Sequence, residues 1–227
     1  MESKEIRRIF YRDGYRLAHS HLDQELNAAN IKRAVTELYQ AVDELLGSFL
    51  DRTASDGAPA DCKLGCAWCC YQEVFAVTHE FLYLQDYTLK HLTEKQREGI
   101  LERAREKVML TLNLPVEEQL KVRAACPFLE EGSCMVYEAR PMACRIYLSS
   151  SEPSCKREHD RPANGKNMPE LFEFPLLAGR MLNEGFVAYL KQVGIKSSEL
   201  PLEQAYSSMV TMGQTMEDWL SEGTSPG

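Results

Sequence analysis

The sequence predicts a mainly α-helical fold, a helical domain gathered around a cysteine-rich core with a short β-hairpin. Three observations carry that expectation. Apolar residues recur at helical spacing between residues 24 and 51. Capping signals open further helices at Thr78 and Thr93. Residues 126–138 break this style and have the composition of a hairpin.

Taken in order, residues 1–23 read as a shorter helix or turn broken near Gly14. In the next segment Ile31, Val35, Leu38, Val42, Leu45 and Phe49 form one apolar seam, with Glu37, Asp43 and Glu44 off it. The seam is expected to pack on the chain's own core. A helix-mediated dimer is the alternative, although a coiled coil sustains more heptads. Arg52 to Asp61 reads as loop from its Pro, Gly and small polar content. Thr78 is placed as the N-cap of a helix carrying Phe81, Leu82, Leu84 and Tyr87. Thr93 and Gln96 suit a capping box for a helix through Ile100, Leu101, Ala104 and Val108. A short helix follows Pro115.

Cys126-Pro-Phe-Leu-Glu-Glu-Gly-Ser-Cys134 reads as a small hairpin with a cysteine on each limb. Arg140-Pro141 turns the chain into a short helix from Met142 to Leu148. Residues 149–169, rich in Ser, Pro, Asn, Gly and charge, read as loop. One helix is expected over about 175–193, through Phe174, Leu177, Met181, Leu182, Phe186 and Leu190. Another begins near Pro201 and carries Tyr206, Met209, Met212, Met216 and Trp219, a methionine stripe that suits a core. The last residues, 221–227, look like a frayed tail.

The 227 residues suit one domain. It divides into an N-terminal helical segment 1–61, a cysteine-cluster region 62–150, and a loop with C-terminal helices, 151–227, packing on the same domain. Net charge is −8, which argues against nucleic acid and an anionic membrane surface as partners. The acid excess lies in the flanks: residues 1–61 hold 8 Lys/Arg against 11 Asp/Glu, residues 62–166 hold 15 of each, and residues 167–227 hold 3 against 8. No stretch approaches the ~18 apolar residues of a membrane span, and the N-terminus shows no apolar leader. The expected location is cytoplasmic. Disulfides rarely persist there, so eight cysteines point to metal binding or redox chemistry.

Four of the eight crowd into Cys62-Lys-Leu-Gly-Cys66-Ala-Trp-Cys69-Cys70, and Cys126, Cys134, Cys144 and Cys155 follow. Crowded thiolates repel one another unless a cation sits among them. Cys66 and Cys69 have the two-residue spacing that closes on one metal. On a helix Cys62, Cys66 and either Cys69 or Cys70 would share a face, whereas the adjacent pair is awkward for a single tetrahedral ion. Mixed ligation with the second group is expected, with Cys144 near a helix N-terminus that would favour its thiolate. Cys155 lies in the loop-like region and is left out of the ligand set. The spacing leaves one site or two open, and an iron–sulfur cluster or zinc.

The segments Cys62 to Cys70, Cys126-Pro-Phe-Leu, Gly132-Ser-Cys134 and Val136-Tyr-Glu-Ala-Arg-Pro-Met-Ala-Cys144-Arg-Ile-Tyr147 together resemble the YkgJ-like cysteine-cluster family, a zinc- or iron-chelating domain with a CxxCxxCC motif. The likeness covers about residues 60–150. Three residues rather than two separate Cys62 from Cys66. The resemblance implies metal or iron–sulfur binding, with Cys62, Cys66, Cys69, Cys70, Cys126, Cys134 and Cys144 as the matched positions. It implies no particular reaction.

Other side chains are read more plainly. Arg140 and Arg145 bracket Cys144, either as partners of sulfur or an anionic ligand, or in an ion pair with Glu138. Trp68, Tyr137 and Tyr147 are expected to pack beside the site. His79 is the one histidine candidate for the metal. The leading expectation is a metal-binding protein carrying an iron–sulfur cluster, with the four-iron kind favoured, in a redox or protein-modification role and with an unidentified protein partner or substrate. A structural zinc-binding interaction module and a metal-dependent protein-modifying enzyme are the alternatives.

Overall fold

The computed structural model describes residues 3–63, 65–162 and 167–223. Of the expected tail 221–227, residues 221–223 close the last helix, while those from Thr224 onward, and Leu64 within the first cysteine motif, lie outside the described residues. The fold is mainly helical, as the patterning predicts.

The chain opens with α1 (Ser3–Leu22), which runs unbroken through Gly14. It packs along its length on α8 (Glu173–Gln192), far away in sequence. The expected break fails because Gly14 marks a helix crossing. A Cβ there would stand 1.9 Å from the Leu182 carbonyl oxygen. Gly185 on α8 repeats this, with its Cβ position 1.9 Å from the Tyr11 carbonyl oxygen. Only glycine admits such close backbone approach. Phe10 meets Phe174 edge-on, and so does Tyr15 against Tyr189.

The apolar seam lies on α2 (Ala28–Ser55). The Asn27 side chain caps it by accepting from the Asn30 N–H at 2.8 Å. Ile31, Val35, Leu38 and Val42 are fully buried, so the seam faces the chain's own core. Phe49 rests against Phe172 and Phe174. The helix continues four residues into the expected loop, supported by the Arg52–Asp56 pair at 2.8 Å.

A short strand β1 (Phe75–Val77) pairs antiparallel with β4 (Glu199–Pro201), with Ala76 opposite Leu200. Three-residue strands leave no periodic signal in a sequence. From β1 the chain enters α3 (Thr78–His91). Its N-cap is Val77 rather than Thr78. The Glu80 carboxylate takes the Val77 N–H at 3.0 Å, while Thr78 Oγ1 accepts from the Ser198 N–H at 3.0 Å. Helix α4 (Glu94–Thr111) opens on the expected capping box, the Thr93 N–H reaching Gln96 Oε1 at 2.9 Å. The one-turn α5 (Val116–Gln119) follows Pro115.

The C-terminal helix expected from Pro201 onward is in fact two, α9 (Leu202–Met212) and α10 (Met216–Gly223). Gly213 divides them at φ 65°, the left-handed conformation in which helices commonly end. Met209, Met216 and Trp219 join the core, while Met212 is 77% exposed.

Candidate metal centre

Four stretches bring the cysteines together, and each is positioned by local chemistry. The first, residues 61–71, is an irregular turn followed by a 3₁₀ turn over Trp68–Tyr71. It is not the helix on which three cysteines would share a face. Gly65 adopts φ 85°, and the Cys66 N–H closes back on the Lys63 carbonyl at 3.0 Å.

The second stretch is the expected hairpin, β2 (Leu129–Glu130) and β3 (Ser133–Cys134). Its central residues, Glu131 and Gly132, both have positive φ, 48° and 75°. That is the twist a two-residue hairpin turn requires. Cys134 stands on β3 opposite Leu129. Cys126 lies ahead of β2, and its N–H donates to the Cys70 carbonyl at 2.7 Å, joining the second stretch to the first.

Cys144 lies in the third stretch, on the one-turn α6 (Met142–Arg145), which ends before the expected Leu148. Two anchors fix α6. Buried Glu80 accepts from the Met142 N–H at 2.6 Å and from the Tyr39 hydroxyl at 3.1 Å. Arg145 is 1% exposed and donates to Asp43 and to the carbonyls of Glu138 and Arg140, its guanidinium 4.0 Å from the Tyr39 ring centre. Arg140 also reaches Asp43, at 3.6 Å, and covers the Tyr137 ring. Both arginines therefore pair with Asp43 on α2 and neither with the Glu138 carboxylate. On the far side, α8 presses close at Gly179, whose Cβ position is 2.3 Å from Ile146 Cγ2 and 3.2 Å from Met142 Sδ.

The fourth stretch is a correction. Within the expected loop 149–169 lies α7 (Glu152–Asp160). Ser151 caps it, accepting from the Ser154 N–H at 3.3 Å, and Pro153 sits in the first turn. Ser-Glu-Pro was the signal available. This helix docks on the first stretch. The Glu152 N–H donates to Asp61 at 3.0 Å, Lys63 pairs with Glu152 at 3.1 Å, and Trp68 Nε1 reaches Glu152 at 3.3 Å. His159 lies edge-on to Trp68 and Tyr71. The adjoining Ser149 N–H donates to Cys62 Sγ at 3.3 Å. Cys155, left out of the expected ligand set, thus comes within electrostatic reach of Cys62 and Cys66.

All eight cysteines are free. Burial pushes the Cys144 thiol well above its usual range, and neighbouring Cys126, Cys69 and Cys134 add to this. At Cys144 burial outweighs any favour that the one-turn α6 gives the thiolate. Cys126 is pushed up to about 12, mainly by burial. Burial likewise raises Cys62, Cys66 and Cys134. Cys69 is the exception: its hydrogen bond with Cys70 lowers it to about 7 and drives Cys70 the other way. Lys107, itself 3% exposed, sits 3.3 Å from Glu203 and 3.9 Å from Glu73 and lowers Cys126 electrostatically; Arg140 does the same for Cys134.

His79 is no part of this assembly. It is fully buried against Phe186, ring centres 4.8 Å apart, with Asn183 as its polar neighbour. Tyr147 packs at the site and donates to Gln72 at 3.3 Å, while Tyr137 is largely exposed.

An all-sulfur donor set in a desolvated setting suits a soft or borderline metal. Among the described residues no three Cys, His, Asp or Glu side chains stand ready to grip one ion. The sulfurs have the right chemistry and neighbourhood, and loading must draw them closer. Residues 61–167 match the model of the CxxCxxCC family, described as "Putative zinc- or iron-chelating domain". Searches of curated proteins and of solved structures returned no match. Segment and chemistry agree: residues 61–167 of this chain are similar to the CxxCxxCC zinc- or iron-chelating domains.

Proposed function

We propose that the cysteine core binds an iron–sulfur cluster, of the four-iron kind, and that the protein serves a redox or protein-modification role in the cytoplasm together with a protein partner or substrate. The observation that carries this reading is the donor set. Sulfurs from four separate stretches converge with no histidine ligand among them, and the deepest, Cys126 and Cys144, are desolvated. Iron–sulfur clusters are held by such thiolates, and their potentials respond to nearby charge and solvent exposure.

In this reading Cys70, Cys126, Cys134 and Cys144 hold the group, which would supply one-electron transfer. Lys107 and Arg140 offset part of the thiolate charge. Cys126 and Cys134 pack against the buried core that includes Phe128 and Met142, which would keep water from that side.

The test is anaerobic purification, a visible spectrum, and quantification of iron, sulfide and zinc. Broad visible absorption with about four irons per chain supports the reading. A colourless protein holding zinc without sulfide sinks it, and leaves a zinc-binding interaction module in its place.

A further inference from the structure

We infer that the eight cysteines form two metal-binding sets: an outer set of Cys62, Cys66 and Cys155 completed by Cys69, and an inner set of Cys70, Cys126, Cys134 and Cys144. The inference rests on the metal-binding reading above and adds a second site, with Cys155 as its ligand.

The two sets stand on different supports. The outer one is built where residues 61–68 dock on α7. Five polar contacts make that joint: the Asp61 N–H to the Ser149 carbonyl at 3.0 Å, Ser149 to Cys62 Sγ, Glu152 to Asp61, Lys63 to Glu152, and Trp68 to Glu152. Lys156 adds a cation 5.3 Å from the Trp68 ring centre. Cys155 lies in the first turns of α7, its N–H 3.4 Å from the Ser151 carbonyl, on a helix whose capping residues already touch the Cys62 segment.

The inner set hangs instead on the core. Cys126 is bonded through its backbone to Cys70, Cys134 rides on the hairpin, and Cys144 is fixed by the Glu80 and Arg145 anchors of α6. Cys69 is the junction, hydrogen-bonded to Cys70 and within electrostatic reach of Cys62 and Cys66 on one side and of Cys134 and Cys144 on the other. Four sulfurs then fall to each set, the number a closed tetrahedral site uses. None of these five α7 contacts involves the residues that anchor Cys126, Cys134 and Cys144, so loss of one set need not empty the other.

The sets also differ in access. Cys62 is exposed and the other seven cysteines are half-buried, with desolvation dominant at Cys126 and Cys144. The outer metal should therefore exchange faster.

The experiment uses the full chain loaded anaerobically with zinc alone. Bound zinc is counted by elemental analysis, and its release to a chromophoric chelator is followed in time. Two release phases are expected. Cys155→Ser should remove the fast phase and about half of the zinc, with the slow phase and the helical circular dichroism unchanged. Cys144→Ala should remove the slow phase. A measurement on the unaltered protein stands beside these: iodoacetamide labelling read by mass spectrometry, in which zinc protects Cys155 and protection is lost with the fast phase. Full zinc content in Cys155→Ser, equal labelling of Cys155 with and without zinc, or one phase lost as a unit in either variant overturns the two-set assignment while the metal-binding reading stands. A wild-type chain that takes up neither zinc nor iron sinks both.

Discussion

His79 offers a quantitative test, because burial holds its imidazole down at about 3 and Asn183 alongside offsets this only in part. In the unfolded chain the same group titrates near 6.5. The folded value is the lower one, so the unfolded state takes up a proton that the native state refuses. Stability from this group is complete above about pH 6.5 and drains away as pH falls toward 3. The slope is about 1.4 kcal/mol per pH unit, so acidifying from about 6.5 to about 4.5 costs the wild type roughly 2–3 kcal/mol through His79 alone. Buried Glu73 and Glu80 are raised and act with the opposite sign, which makes a difference measurement necessary. The perturbation is His79→Leu, similar in volume and able to pack on Phe186. The assay is urea unfolding followed by circular dichroism at several pH values. Metal release on acidification is common to both proteins and cancels. The variant should gain on the wild type by those 2–3 kcal/mol over the acid range, with unchanged metal content. A gap that does not widen with acid, or a variant that loses its metal, refutes this account of His79.

Gly14→Ala should drive a Cβ into the α8 backbone and cost about 2 kcal/mol or more, seen as a melting temperature lower by roughly 4–8 °C. Gly47→Ala, in open space on α2, should instead be neutral or stabilising. Gly179→Ala should push Ile146 and shift α6 with it, weakening metal retention about tenfold in chelator competition; retention equal to wild type would show that α6 does not set the Cys144 position. In the metal-free protein at neutral pH, Cys69 should alkylate well before Cys126, because one sits at about 7 and the other at about 12. Cys70→Ala should slow the Cys69 reaction, as the hydrogen bond that lowers it is gone.

Local signals were legible where local chemistry decides the structure. The Ile31–Val42 seam, the Thr93–Gln96 box and the Glu131-Gly132 turn each depend on residues a few positions apart. Three kinds of feature were not legible. The pairing of Phe75–Val77 with Glu199–Pro201 joins short strands more than a hundred residues apart. Gly14 looks like a breaker because glycine costs a helix about 1 kcal/mol, yet the contact that outweighs this cost comes from Leu182. The polar helix α7 was hidden by composition, although Ser151 and Pro153 announce its start, and Cys155 was dropped with it. His79 is near the motif in sequence but turns inward, while its neighbour Glu80 reaches the α6 backbone. The cysteine spacing marked out the metal region; it could not say how the sulfurs are shared.

The glycine lock between α1 and α8 also bears on how the chain folds. It closes a loop of roughly 170 residues, and the ordering cost of closure grows only as the logarithm of that length. A metal that had already pinned residues 62–70 to residues 126–144 would cut the free loop to about half, easing closure by about 0.6 kcal/mol and speeding refolding no more than about threefold. Metal should therefore act mainly on the reverse process, slowing escape from the native state far more than it hastens arrival. Refolding and unfolding rates measured with and without zinc would show this asymmetry; a refolding rate raised a hundredfold by zinc would contradict it.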